Sequence, residues 1–149
     1  MNEEFNEIAN DIINNDIYLD LKNYRHHGIN RYEHCLRVAR WTYKATKKLK
    51  MRYKESTRAA LLHDFFLVNN QAIPFFARIK VLFTHPKMAI ELSKKHFGIN
   101  KFEEKLIRSH MFPVGLNIPT SLEGWLLDII DDIASTYERI YSIFKRRWY

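Results

Sequence analysis

A chain of 149 residues falls in the size range of one domain with a single core, long enough to bury roughly 70% of its unfolded surface. An aromatic content of 14% excludes a disordered tail, and 24 Lys and Arg against 17 Asp and Glu leave a net charge of +7, which favours anionic partners without choosing among them. The single cysteine, Cys35, excludes an internal disulfide, no apolar run reaches the roughly 18 residues of a membrane span, and Met1-Asn2-Glu3-Glu4 is acidic where a secretory signal is basic, so a soluble cytoplasmic protein is expected.

From Glu3 to Asn14, Phe5, Ile8, Ala9, Ile12 and Ile13 recur at helical spacing, which predicts an amphipathic helix. Tyr24 to Ile29, with His26, His27 and Gly28, reads as a turn or loop. Asn30-Arg31-Tyr32-Glu33 has the N-cap and third-position glutamate of a capping box, so the next helix opens there with His34 in its first turn. Lys44 to Arg58 holds seven basic residues. It reads as a solvated helix end, since no Gly-rich or aromatic platform for nucleic acid accompanies it. Arg58 to Leu67 is an apolar helical run that carries His63 and Asp64 side by side. A buried ionised carboxylate is costly unless paired or metal-bound, so Asp64 needs a partner.

Asn69 to Phe83 reads as a loop leading into a short helix that lids the site. Thr84 then caps the next helix, with His85 at its start and Pro86 in its first turn. Asn100-Lys101-Phe102-Glu103 is a second capping box whose helix ends near His110, before Pro113 and Gly115. Thr120-Ser121-Leu122-Glu123 opens the last long helix, which carries Asp131, Asp132 and the basic end Lys145-Arg146-Arg147. No convincing strand pattern, repeat or linker interrupts this series. The expected fold is all-α, a single-domain helical bundle over residues 1–149 in which a helical segment, 3–24, is appended to a core, 25–149.

The order H…HD…H…H…D made by His34, His63-Asp64, His85, His110 and Asp131 resembles the HD superfamily of metal-dependent phosphohydrolases. A lone His-Asp pair is common by chance. Five segments in order are far more specific: His27-Gly28…Tyr32-Glu33-His34, Leu61-Leu62-His63-Asp64-Phe65-Phe66, Thr84-His85-Pro86-Lys87-Met88-Ala89, His110-Met111-Phe112-Pro113 and Asp131…Ser135…Glu138 resemble one bacterial HD subfamily across most of the chain. The resemblance implies an HD-type bundle in which His34, His63, Asp64 and Asp131 hold a first metal and His85 and His110 a second, with Asp64 bridging. The subfamily usually has a lysine after this aspartate. Here it is Asp132, an alternate ligand or a solvated charge.

Six ligands suit a dinuclear centre, with ions about 3.5–4 Å apart that polarise a phosphoryl oxygen and activate water. Imidazole and carboxylate without thiolate suit iron, manganese, cobalt, nickel, magnesium or zinc, and the resemblance favours iron. Lys87, two residues after His85, and Arg37, three after His34 on the same helical face, are the first candidates to bind a phosphate and join His63 and Asp64 as catalytic residues. Arg31, Arg58, Arg78 and Arg108 rank below them. Tyr32, Phe66, Met111, Phe112 and Pro113 are candidates for an apolar wall. His26, His27 and His96 read as core or surface histidines, with His27 the one of the three to line the site.

The expected function is a metal-dependent phosphohydrolase in which metal-activated water attacks a phosphate ester or anhydride of a small molecule, a nucleotide first among them. Diadenosine tetraphosphate is a specific variant. Two other readings share the ligand order: a mixed-valence di-iron oxygenase resembling myo-inositol oxygenase, and a non-catalytic regulator in which a basic HD domain binds a nucleotide or nucleic acid without turnover. The expected partner is a small anionic phosphate compound, not a membrane or nucleic acid.

Overall fold

The computed structural model describes residues 3–26, 28–69 and 72–147, with side chains through residue 144; His27, expected to line the site, and Met1 and Asn2 lie outside the described residues. The helices are α1 (Glu3–Ile13), α2 (Asp16–Leu19), α3 (Arg31–Lys48), α4 (Tyr53–Leu62), α5 (Phe75–Phe97), α6 (Lys101–Ser109) and α7 (Leu122–Arg147), with a 3-10 turn at Asp20–Asn23. The chain is therefore all-α in class. Among the described residues it departs from that pattern at one place, where β1 (Arg25–His26) pairs antiparallel with β2 (Ile29–Asn30) in the stretch read as turn or loop. Gly28 lets this hairpin close onto α7. Its φ is +93°, and a Cβ there would lie 2.4 Å from Ser142 Cβ.

The core is built around α3 and α4, which pack most extensively on each other. Cys35, Val38, Ala39 and Tyr43 of α3 and Ala59, Ala60, Leu61 and Leu62 of α4 are all buried. The helix α7 packs on α3, α6 packs on α4, and α1 seats Phe5, Ala9 and Ile12 in the same core. Glu4 ties α1 down by accepting hydrogen bonds from Tyr43 at 2.6 Å, Tyr53 at 2.8 Å and Lys47. The basic stretch stays mostly exposed, as expected of a solvated helix end, with Lys47, Arg52 and Arg58 drawn into ion pairs. Arg52 pairs with Glu55 and stacks over Phe102, and Arg58 pairs with Asp11 and Glu103.

Both expected caps form. Asn30 Oδ1 accepts from the Glu33 amide, and Asn100 and Glu103 make a reciprocal capping box. The expected break at Thr84 is absent. The helix α5 runs unbroken from Phe75 to Phe97, with Pro86 inside it, and the Thr84 hydroxyl donates to the Lys80 carbonyl instead of capping. The presumed lid and the His85 helix are one element. The apolar run at Arg58 also stops earlier than its composition suggests: α4 ends at Leu62, with His63 as its C-cap and Asp64 in the turn beyond. Among the described residues, no helix is long and apolar enough to cross a membrane.

Candidate metal centre

Five elements bring the six donors together. His34 sits in the first turn of α3, His63 and Asp64 just past α4, His85 in the middle of α5, His110 at the C-cap of α6 and Asp131 near the centre of α7. All six are buried. His34 Nε2 lies 2.9 Å from Asp131 Oδ1 and 3.3 Å from His63 Nε2, and His63 Nε2 lies 3.5 Å from the same oxygen. On the other side, His85 Nε2 lies 3.1 Å from His110 Nε2 and 3.2 Å from Asp64 Oδ1, with His110 Nε2 3.7 Å from that oxygen. Donors bound side by side at about 2.1 Å from an octahedral ion stand roughly 3 Å apart, so both triads have the spacing of a coordination face.

The opposite nitrogen of each ring explains its orientation. His63 Nδ1 donates to the Ala60 carbonyl at 2.7 Å and His110 Nδ1 to the Ile107 carbonyl at 2.7 Å, both in the last turn of a helix where carbonyls lack intrahelical partners. His85 uses a carbonyl freed in another way. Pro86 has no N–H for the Leu82 carbonyl, and His85 Nδ1 donates to it at 3.0 Å. His34 Nδ1 donates to Glu138 Oε2 at 2.9 Å. With Nδ1 carrying the proton, each neutral ring aims its Nε2 lone pair at the centre. Four lone pairs and two carboxylates then face one another, which is repulsive unless a proton or a metal ion lies among them. Asp131 Oδ1 makes the point directly. It is fully buried without a hydrogen bond of acceptable geometry, although two imidazole nitrogens lie within 3.5 Å. The donor set fits a metal centre.

Charge is stored in the same place. Burial would raise the carboxyls of Asp64 and Asp131, yet the facing imidazoles hold both well below the usual carboxylate range. Burial likewise opposes a charge on His34, but Asp131 and Glu138 overcome it and push His34 up to about 10. A proton on its Nε2 stands where a metal would bind. Burial lowers His110 and, with Asp132 and Asp131 nearby, raises Asp128 to about 7.

The centre forms the floor of a cleft of about 600 Å³. Asp132 lies on the cleft wall, while it is Asp131 that reaches His34 and His63. Three arginines line the cleft: Arg25 from the hairpin, Arg78 from α5 and Arg139 from α7. Neither first-choice cation is among them. Lys87 is exposed and pairs with Glu91 at 4.0 Å, and Arg37 pairs with Glu138, whose other oxygen holds His34. Arg37 thus meets the carboxylate behind His34 and not the cleft. Arg31 is buried and donates to the Phe66 and Val68 carbonyls, and Arg58 and Arg108 form intramolecular ion pairs.

Of the expected apolar wall, Phe66 and Met111 line the cleft, joined by Ile79, Leu82 and Val114. Tyr32 packs on Tyr18, and Phe112 on Trp125. His96 packs near Phe65, away from the cleft. His26, read as a core or surface histidine, instead faces the centre, with Nε2 3.4 Å from Asp64 Oδ2 and its ring 4.4 Å from that of His34. The hairpin puts it there, and two-residue strands leave no periodic signal to find.

A family profile for the HD domain matches residues 31–136, a span that contains all six donors. No curated protein and no solved structure matches the chain.

Proposed function

Because this chain belongs to the HD-domain family, whose members are typically metal-dependent phosphohydrolases, we propose that it hydrolyses a phosphate ester or anhydride of a small molecule, a nucleotide first among them, at a dinuclear centre. The observation that carries this reading is the convergence of four Nε2 lone pairs and two carboxylates at the floor of a cleft lined by arginines. His34, His63 and Asp131 would hold one ion and His85 and His110 the other, with Asp64 between them. Iron is the first candidate, and manganese, magnesium, nickel, cobalt and zinc suit the same donors. When bound, the ions would supply Lewis acidity toward a phosphoryl oxygen and a water activated at neutral pH.

The chain's own groups do the rest. Arg25, Arg78 and Arg139 bind the non-bridging oxygens and offset the charge that builds as the water oxygen joins phosphorus and the bond to the leaving group breaks. Ile79, Leu82, Met111 and Val114 offer an apolar wall for the organic part of the substrate. We place this chemistry in the cytoplasm, a reading that the solitary, buried Cys35 suits.

Metal analysis of anaerobically purified protein, followed by a panel of nucleotides and phosphate esters, tests the proposal. Two ions per chain and release of phosphate are expected, with His85→Ala or His110→Ala losing one ion. Lys87→Ala should leave the kinetics unchanged, and Arg78→Ala should raise KM. A single ion retained by both histidine variants would remove the dinuclear reading, and dioxygen consumption in place of phosphate release would favour the oxygenase.

A further inference from the structure

The helix α7 is apolar on two sides. Leu127, Ile130 and Ala134 face the core, while Leu122, Trp125, Ile129, Ile133, Tyr141 and Phe144, spaced three or four residues apart or multiples of that, stay exposed. Among the described residues, Phe112 borders this second stripe at Trp125 and Trp41 and Arg37 of α3 border it at Tyr137, while the side chains between stay exposed. A helix with a second apolar side calls for a second interior, and one copy of the chain provides only the first.

We propose that the stripe is a contact between two copies of this chain, with the two α7 helices antiparallel about a twofold axis at Ile133. Three observations choose this occupant, and none depends on the metal centre. The first is symmetry of the stripe about its middle. Leu122 and Phe144 are equally distant along the helix from Ile133, as are Trp125 and Tyr141, and Ile129 and Tyr137, so an antiparallel copy sets each apolar side chain opposite another. The second is area. Seven partly exposed side chains of this size uncover on the order of 800 Å² per copy, the share one partner contributes to an interface of standard size.

The third is charge. The half-buried Glu123 lies in the first turn of α7, and the sequence places Lys145, Arg146 and Arg147 in its last turn. Antiparallel pairing about Ile133 brings Glu123 beside the basic end of the other copy and opposes the helix dipoles. Parallel pairing would set like charges together. The cleft residues Asp132, Ser135 and Arg139 occupy the neighbouring face of α7, so the contact borders the cleft mouth without filling it.

Sedimentation equilibrium of the whole chain at micromolar concentration is expected to give twice the 18.0 kDa chain mass. Ile133 is 54% exposed, so Ile133→Glu leaves the core intact and puts two carboxylates against each other on the axis. The association should weaken about a hundredfold with the circular dichroism unchanged. Mixing Leu122→Cys with Phe144→Cys chains should form the mixed disulfide in preference to either homodimer, a readout that Cys35, being buried, does not disturb. A monomer at high micromolar concentration, a dimer indifferent to Ile133→Glu, or homodimeric disulfides in excess would each overturn the proposal. So would a monomer that floats with anionic phospholipid vesicles, which would assign the stripe to a bilayer.

Discussion

Glu138 touches neither triad's metal-facing atoms, yet its two oxygens hold His34 Nδ1 and the Arg37 guanidinium at full burial. A carboxylate behind a ligating imidazole sets the ring's tautomer and raises its basicity. Glu138→Gln keeps the shape and removes the charge, so metal affinity should fall roughly 10–100-fold. A competition titration against a chromophoric chelator reads it, and unchanged affinity would mean that Glu138 serves only to pack. The spacing of Glu138 from Asp131 was visible in the sequence, but its role was not. Arg37 and His34 do share a helical face, as their spacing indicates. That face meets a buried carboxylate of α7 and not the cleft, which only the packing of α3 on α7 decides.

Helix endings organise the centre. The last turns of α4 and α6 leave carbonyls for His63 and His110, and Pro86 leaves one for His85 within α5. The two N-caps could be read directly, because a cap is a local hydrogen bond between residues three apart, and at Asn100 the Glu103 side chain completes the reciprocal box. Pro86 was misplaced because proline is welcome at a helix start and is tolerated inside only when something else takes the freed carbonyl, here its own neighbour. At the other end of the domain, Glu4 holds α1 to α3 and α4. The hydrogen bonds from Lys47, Tyr43 and Tyr53 lower it from an ordinary value of 4.5 to about 2. A carboxyl depressed on folding stabilises the folded state fully above its unfolded value, and that contribution disappears as pH falls from 4.5 toward 2. Part of the acid destabilisation in this window should therefore be missing in Glu4→Gln, as followed by thermal melts at stepped pH. Identical pH profiles would show the anchor to be idle.

Across the whole molecule, the donors come from α3, the end of α4, α5, α6 and α7, so an ion bound by them joins elements far apart in the chain. A ligand that binds only the folded state at a hundred times its Kd adds about 2.7 kcal/mol. In a domain of this length that corresponds to a rise in Tm of roughly 5–10 °C. Removing metal with a chelator should lower Tm by about that amount and restoring it should reverse the change, whereas His85→Ala should show a smaller response. A melting curve insensitive to both would mean that no ion bridges these helices.

The sequence by itself determined the helical class, two of the caps and the order of the donors, because each depends on residues within a few positions of one another or on a pattern of residue types. Which arginines face the cleft, that His26 belongs beside Asp64, that α5 passes through Pro86 without a break and that α7 keeps a second apolar side were decided by the tertiary structure alone. Those facts depend on which side of each helix is turned inward by its neighbours, and no local spacing encodes the direction from which a distant helix arrives.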